Sequence, residues 1–447
     1  VARVGSVSPG PRNRPRRPLV LPSMTLRALL STVLTTLLAV AAALVPVPSA
    51  TAEETRGSLE RRSDDVRRVV FVGNNWDGTA DVLDPETFER LGRIDVVPDR
   101  DERMQEIATN PFRLAYFLAI RQLIGEGHDQ LVDDMYSSND GRLLIVSRPS
   151  FADVVAIDLA TQEIRWRFPV AGQRSDHMAL SPNGRRVVVS ASTGDVVHVL
   201  RVEDGTEVGR FPSGGSPHES VFIDGGRKIL HASIGMVYSP LDQPEADPTK
   251  QERVFELVDA RSLEVIRRYD LRKALDDRGL DRMSTAVRPM TLSPDEKTVY
   301  FQVSFFHGFL GMSLRTGKIV KVVHLPNLVP DMPREQYVLD SAHHGIAMNP
   351  SGTKICVAGT MDDYATVVST AHWKRGPLLT KPSGKPYWVT QSHDGRYCYI
   401  SWSGTDQVAK ISYRTGRIVQ TAPVGDHPQR VRNGFVRTDL VAGLPAA

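Results

Sequence analysis

The chain has 447 residues, of which 41% are hydrophobic, 24% charged and 7% aromatic. This is globular composition, and it excludes a wholly disordered or collagen-like chain. The formal net charge of +3 conceals an asymmetry: residues 1–52 hold six arginines and no acid, so residues 53–447 carry 49 basic against 52 acidic groups. That balance provides no basic face for nucleic acid or anionic lipid.

From Met24 the chain reads MTLRALLSTVLTTLLAVAAALVPVPSATAEE. Arg27 supplies a short positive region, Ala28 to Val45 an apolar stretch, and Ala50-Thr51-Ala52 a small-x-small cleavage site. These features predict a cleaved export signal over 24–52 and a secreted, extracytoplasmic product with no membrane span after cleavage. An uncleaved anchor fits less well, because four Ser/Thr dilute the stretch and prolines follow it at once. Residues 1–23, rich in Pro and Arg, read as an extension not native to the protein, and 53–66 as a disordered linker.

The segment Arg67–Val97 offers three short strands separated by turns, and the tight DPETFERL turn is the tip of a hairpin. Residues 98–128 form an insertion with helical character: Asn110-Pro111 gives a cap and a first-turn proline, FRLAYFLAIRQLI follows, and Gly125 stops it. Its apolar residues cover most of the helix, so it packs over neighbouring strands or acts as a lid, with packing the usual fate.

Beyond residue 128 the chain is periodic. The turn tetrads SNDG, SPNG, IDGG, SPDE, NPSG and SHDG each precede a β-rich run, among them RLLIVSR, RRVVVSA and RYCYISW. They end at Gly141, Gly184, Gly226, Glu296, Gly352 and Gly395, that is 43, 42, 70, 56 and 43 residues apart. A base period of 42–43 with two insertions and four strands per unit is that of a propeller blade. Six units begin between Asp129 and Tyr387. The first segment lacks one strand, and Val424–Val436 supplies a lone one, so joining the two closes a ring of seven. The expected fold is therefore all-β: a seven-bladed β-propeller of four-stranded antiparallel blades over 67–437, with a C-terminal tail at 438–447. Cys356 and Cys398 fall in equivalent strands of neighbouring units. Stacked sheets lie ~10 Å apart whereas a disulfide needs Cα atoms within about 7 Å, which predicts two buried thiols.

The last complete unit, from Lys385 to Val431, resembles the YVTN-type propeller repeat. Pro386, Ser392, Asp394-Gly395, Tyr399, Thr415-Gly416 and Pro428 stand where that repeat has its entry, turn, Tyr-Val strand and hairpin residues. The resemblance implies an exported seven-bladed propeller and no single activity, since such propellers include binders, lactonases, lyases and redox enzymes. Two further likenesses are weaker. Histidines gathered at strand entries resemble the copper-carrying propeller of nitrous oxide reductase, and Trp166 in AIDLATQEIRW is similar to a quinoprotein amine dehydrogenase docking motif, though it occurs once.

Long loops fall at the end of the ring where first strands begin, and binding residues are usually carried on such loops. Counting back from each tetrad, the entries hold Asp133-Asp134, Asp176-His177, His218-Glu219, Arg288, His343-His344, Tyr387-Trp388, and His427 with Arg430. A closed ring brings equivalent positions together. The candidate ligand-binding set is therefore Asp176, His177, His218, Glu219, Arg288, His343, His344, Trp388 and Arg430, with arginines expected on the arc opposite the carboxylates. His177, His218 and His344 are the candidate ligands for a divalent metal, and the arginines suit a carboxylate or phosphate. The expected function is a binding or scaffold propeller taking a small anionic or zwitterionic ligand, a cell-envelope polymer or a protein, with no required cofactor and no nucleic-acid partner. The alternative is a metal-dependent, lactonase-like hydrolase or lyase on the same residues. No catalytic residue is assigned, because G-x-S-x-G, H-E-x-x-H and phosphate-loop motifs are all missing from the sequence.

Overall fold

The computed structural model describes residues 65–237 and 244–446. The segment expected to be an export signal, the residues ahead of it and nearly all of the expected linker lie outside the described residues. Seven antiparallel sheets form the ring. Blade 1 pairs β29 (Pro428–Arg437) with β1 (Val66–Asn74), followed by β2 (Thr79–Leu83) and β3 (Arg90–Asp95). Blade 2 holds β4 (Met135–Ser137) to β7 (Ile164–Pro169), blade 3 β8 (Ser175–Leu180) to β11 (Glu207–Pro212), and blade 4 β12 (Pro217–Ile223) to β15 (Val265–Arg268). Blade 5 runs from β16 (Val287–Leu292) to β19 (Ile319–His324), blade 6 from β20 (Gly345–Met348) to β24 (Leu379–Thr380), and blade 7 from β25 (Pro386–Gln391) to β28 (Ile418–Pro423). The outer strand of blade 6 is broken into two short pieces that both pair with β22 (Tyr364–Ser369), because Gly376-Pro377 interrupts it and proline brings no amide to the ladder.

The alternation of each strand buries one face against the next blade, so the core consists of layers between blades. Val69, Phe71 and Val82 meet Leu144 and Val146 across blades 1 and 2. Val70, Val72 and Val431 meet Tyr399 and Val408 across blades 7 and 1, which seals the ring. β29 and β1 pair from Val66↔Arg437 to Gly73↔Arg430, so the C-terminal strand is the innermost strand of blade 1.

Between blades 1 and 2 lie α1 (Arg100–Thr109) and α2 (Pro111–Leu123). Asn110 caps α2 through Arg113 N–H (3.1 Å), with Pro111 in the first turn. Phe117 packs with Val97, Leu131 and Phe151, while Phe112, Leu118 and Leu123 stay exposed. Both helices fall inside the insertion expected to be helical, but the sequence marks only the second, because α1 has an apolar stripe of only Met104 and Ile107. It is tied down instead by buried Arg103, which pairs with Asp99, Glu102 and Glu106. Among the described residues no helix is long and apolar enough to cross a membrane.

The two cysteines are not free thiols: Cys356 in β21 (Lys354–Gly359) and Cys398 in β26 (Tyr397–Trp402) form a disulfide, with Cα atoms 6.5 Å apart. The expectation of thiols used the spacing of parallel stacked sheets, but blades of a ring converge toward the axis. Around the bridge the facing residues are small, Ala347, Ala358 and Ala409 among them, which lets the second strands approach.

Candidate metal and ligand site on the propeller axis

The first strands open with a recurring irregularity. Pairing slips between Ser175 and Met178 in β8, Pro217 and Glu219 in β12, Val287 and Met290 in β16, and Pro386 and Val389 in β25. β29 slips likewise between Pro428 and Arg430. Each slip is a bulge that re-aims side chains and leaves a carbonyl outside the ladder. Serines of the second strands of preceding blades take up these carbonyls: Ser147 Oγ donates to Asp176 O (2.8 Å), Ser190 Oγ to His218 O (2.8 Å) and Ser401 Oγ to Gln429 O (2.9 Å). The bulges hold Asp176, His177, His218, Arg288, Tyr387 and Trp388. The sequence signal for the serines is one hydroxyl near the end of otherwise apolar strands such as RLLIVSR and YCYISW.

Three histidines from blades 3, 4 and 6 meet. The ring centroids of His177 and His218 are 3.8 Å apart, those of His177 and His344 6.1 Å, and those of His218 and His344 6.0 Å. One ring nitrogen from each lies within 4.8 Å of the others, and all three side chains are buried. Contact between blades 3 and 6 crosses the ring, so the cluster is axial. Trp388 stands edge-on to His177 at 5.6 Å, and Tyr387 stacks on His344 at 3.9 Å.

His177 Nδ1 lies 2.6 Å from Glu219 Oε2, and its Nε2 is 3.6 Å from Asp176 and 4.0 Å from Asp133. Burial, followed by the charges of neighbouring arginines and histidines, holds all three imidazoles well below their ordinary pKa, so they are neutral. Burial also lifts Glu219 to about 8 and Asp133 to about 7, against the pull of Arg430 in both cases.

Arg430 sits beside the carboxylates and not across the ring from them, as do Arg432 and Arg174, which corrects the expected charge arrangement for all but Arg288. Arg430 Nη2 donates to Asp133 (3.2 Å), Arg432 makes a two-pronged contact with Asp134 (2.8 and 2.7 Å), and Arg174 donates to Asp176 (2.6 Å). The reason is chain order: blade 1 is closed by β29 and adjoins blade 2, so its arginines fall next to the blade 2 acids. Arg430 also lies 3.9 Å over the Trp388 ring. Arg288 donates to Ser304 Oγ (2.8 Å) and to the Leu339 carbonyl. Ser304 lines a cavity of about 310 Å³ together with Met283, Phe305, Phe306 and Arg334.

Of the nine candidate residues, Asp176, His177, His218, Glu219, His344, Trp388 and Arg430 form one cluster, and Arg288 acts on its edge through charge. His343 does not join. It turns between blades 5 and 6, with Nε2 2.9 Å from Asp362, because successive residues of an extended chain face opposite ways. His427 also stays away, stacked on Trp76 at 3.8 Å. The candidate set omitted Asp133, Asp134, Arg174, Tyr387 and Arg432, all of which stand at or next to strand entries.

Several buried polar atoms in the cluster have no hydrogen-bond partner: Nδ1 of His218 and of His344, and Nε and Nη1 of Arg430. Such orphans are costly in an apolar interior and are common where a ligand completes the set. Chemically, three neutral imidazoles offer lone pairs to a divalent metal, and Arg430 offers unspent donors to an anion.

No family model matches the chain, and no curated protein matches it. Solved structures do. Hydrazine synthase of Kuenenia stuttgartiensis superposes with a TM-score of 0.50 at 17% identity, covering 69% of this chain and 96% of that one. Dihydro-heme d1 dehydrogenase NirN, in complex with DHE, gives 0.47 at 14% identity over 79% of this chain and 63% of that one. At such identities the likeness is one of fold: this chain is a seven-bladed β-propeller, and its chemistry must be read from its own residues.

Proposed function

We propose that the chain is an exported, YVTN-like binding propeller whose axial site holds a divalent transition metal on His177, His218 and His344 and takes a small anionic ligand there. The observation that carries this reading is the convergence of three buried, neutral histidines from three blades within 4.8 Å. Imidazole donors suit zinc and copper. Glu219 on His177 Nδ1 is the carboxylate that commonly orients a ligating histidine and leaves Nε2 for the metal. The partnerless Nη1 of Arg430 supports an anionic group beside the metal. Export is supported by the Cys356–Cys398 bridge, since disulfides persist in oxidising compartments. A cell-envelope polymer or a protein is the larger partner that the long loops at this end of the ring would serve.

The test is metal content of protein purified without an affinity tag, followed by zinc titration after chelator treatment. One tightly held equivalent that His218→Ala abolishes, with the melting temperature nearly unchanged, is the expected result. A protein that takes up no metal, or whose uptake ignores His218, overturns the reading. Three protein ligands leave one position of a tetrahedral ion open, as catalytic zinc sites do, and this favours a metal-dependent hydrolase or lyase as the second reading. Metal-dependent turnover of simple lactones and esters, lost in the same variant, separates it from a pure binder.

A further inference from the structure

Beyond the axis, a second group of metal-binding side chains lies between blades 5 and 6. His307 sits in the turn from β17 (Thr298–Val303) to β18 (Gly308–Ser313), His343 at the entry to β20, and Asp362 in the turn from β21 to β22. His307 Nδ1 is 2.6 Å and His343 Nε2 2.9 Å from the same oxygen, Asp362 Oδ2. The two rings approach it at 77° to each other, with centroids 5.6 Å apart. All three residues are buried or nearly so, Asp362 and His343 with no exposed side-chain surface.

We propose that His307, His343 and Asp362 form a second divalent-metal site, separate from the axis, which staples the 327–342 loop onto blades 5 and 6. The surroundings favour this over a plain hydrogen-bond cluster in three respects. First, Asp362 Oδ1 is already used by the Leu328 amide (2.6 Å), so Oδ2 is the oxygen presented to both rings. Second, the outer nitrogen of His307 lies 3.0 Å from the Tyr337 hydroxyl, which is placed to accept from Nε2–H once Nδ1 gives up its shared proton to take a metal, as outer partners of metal-bound histidines do. Third, Tyr364 donates its hydroxyl proton to Pro326 O (2.9 Å) and turns an oxygen lone pair toward His343 Nε2 at 3.3 Å, offering a fourth donor. Adjacent ligand atoms of a first-row ion lie roughly 3 Å apart when each bond is about 2.0–2.1 Å. The present spacings therefore need to open only slightly as the metal replaces the two shared protons.

Two imidazoles and one carboxylate suit zinc, cobalt, manganese or ferrous ion, whereas calcium and magnesium prefer all-oxygen sites. Leu328 and Tyr337 belong to the loop held down, and that loop carries Leu339, whose carbonyl receives Arg288. Leu339, Asp340 and Phe305 all have positive φ (48°, 62° and 58°), and Phe305 N–H donates to Asp340 O (2.9 Å). Backbone in this region for non-glycine residues persists where surrounding structure holds it, and the staple lies next to it.

The experiment titrates cobalt(II) and zinc(II) into the chelator-treated full chain, reading stoichiometry by calorimetry and coordination by cobalt absorption. His307→Gln and Asp362→Asn should each remove one metal equivalent, lower the metal-dependent gain in melting temperature, and leave any equivalent that depends on His218 in place. An equivalent lost in His307→Gln but kept in His218→Ala supports this site even if the axial one binds nothing. If metal uptake by both variants equals that of the parent, or no metal binds at all, the cluster is a hydrogen-bond lock only and the proposal fails. His307 is partly exposed, so its variant remains informative should Asp362→Asn not fold.

Discussion

Gly141, Gly184, Gly352 and Gly395 close their turn tetrads with φ between 66° and 69°. The preceding Ser or Asn side chain completes each turn: Ser392 Oγ donates to Asp394 (2.6 Å) and accepts from the Tyr397 amide (3.0 Å), and Ser181 does the same with Asn183 and Arg186. Glycine is favoured because a left-handed residue with a Cβ costs about 1–2 kcal/mol, a cost that Glu296 bears at the same place in the SPDE turn (φ 52°). At Gly395 a Cβ would also lie 2.5 Å from the ring of Pro350 on the previous blade, a rigid neighbour. Gly395→Ala should thus lower unfolding free energy by at least about 2 kcal/mol by urea titration. At Gly184 the Cβ meets the movable Asn139 side chain, so Gly184→Ala should cost less. Both neighbours belong to the previous blade, so equal costs at the two positions would show that the rigidity of the contacted side chain plays no part. The same turn chemistry made the blades legible in the sequence, since a Ser or Asn and a glycine at fixed offsets name a turn without reference to tertiary structure.

At the scale of strands, legibility stops at the bulges. A strict period of two sends one of His343 and His344 inward, and the structure chooses His344. In β8 and β12, however, the extra residue breaks the period where Asp176, His177 and His218 stand, so neither orientation nor partner follows from alternation. The pairing of Arg430 with Asp133 was hidden for another reason: these residues are 297 apart in sequence, and only ring closure by β29 makes them neighbours. The disulfide belongs to this scale too. It joins second strands 42 residues apart, one full unit, and so ties blade 6 to blade 7 directly. In the chain-entropy picture a loop of this length restricts the unfolded chain by about 4 kcal/mol. Reduction, or the Cys356→Ala/Cys398→Ala pair, should lower the melting temperature by several degrees without altering the far-ultraviolet circular dichroism. An unchanged melting temperature on reduction would show that the bridge contributes no stability.

The ring as a whole responds to acid through its buried histidines. His177, His198, His218, His231, His343, His344, His393 and His427 all have pKa values lowered first by burial, His231 and His427 to about 3. Between about pH 6.5 and 3 the unfolded chain therefore binds protons that the native ring refuses, and stability present above pH 6.5 is lost as pH falls. Asp133, Glu219, Glu256 and Asp426, with raised values, act in the opposite sense, but they are fewer. Urea midpoints should fall steadily from pH 7 to pH 4.5, and a flat profile would contradict this account. The most exacting test concerns closure. β29 brings fully buried Val431 and Val436 against β1, and burial of such side chains is worth about 1.5–3 kcal/mol each. It also brings Arg430 and Arg432 to the buried acids Asp133 and Asp134, and removing one partner of a buried pair costs about 3–5 kcal/mol. Ending the chain at Asp426 removes all of these together and bares the whole edge of β1. The sum rivals the roughly 5–15 kcal/mol by which a domain is stable. The truncated chain should therefore fail to fold, giving aggregated material with no cooperative melt. A soluble truncated protein with one sharp transition would mean that six complete blades and a three-stranded remnant hold without closure, and that the axial carboxylates do not need their arginines.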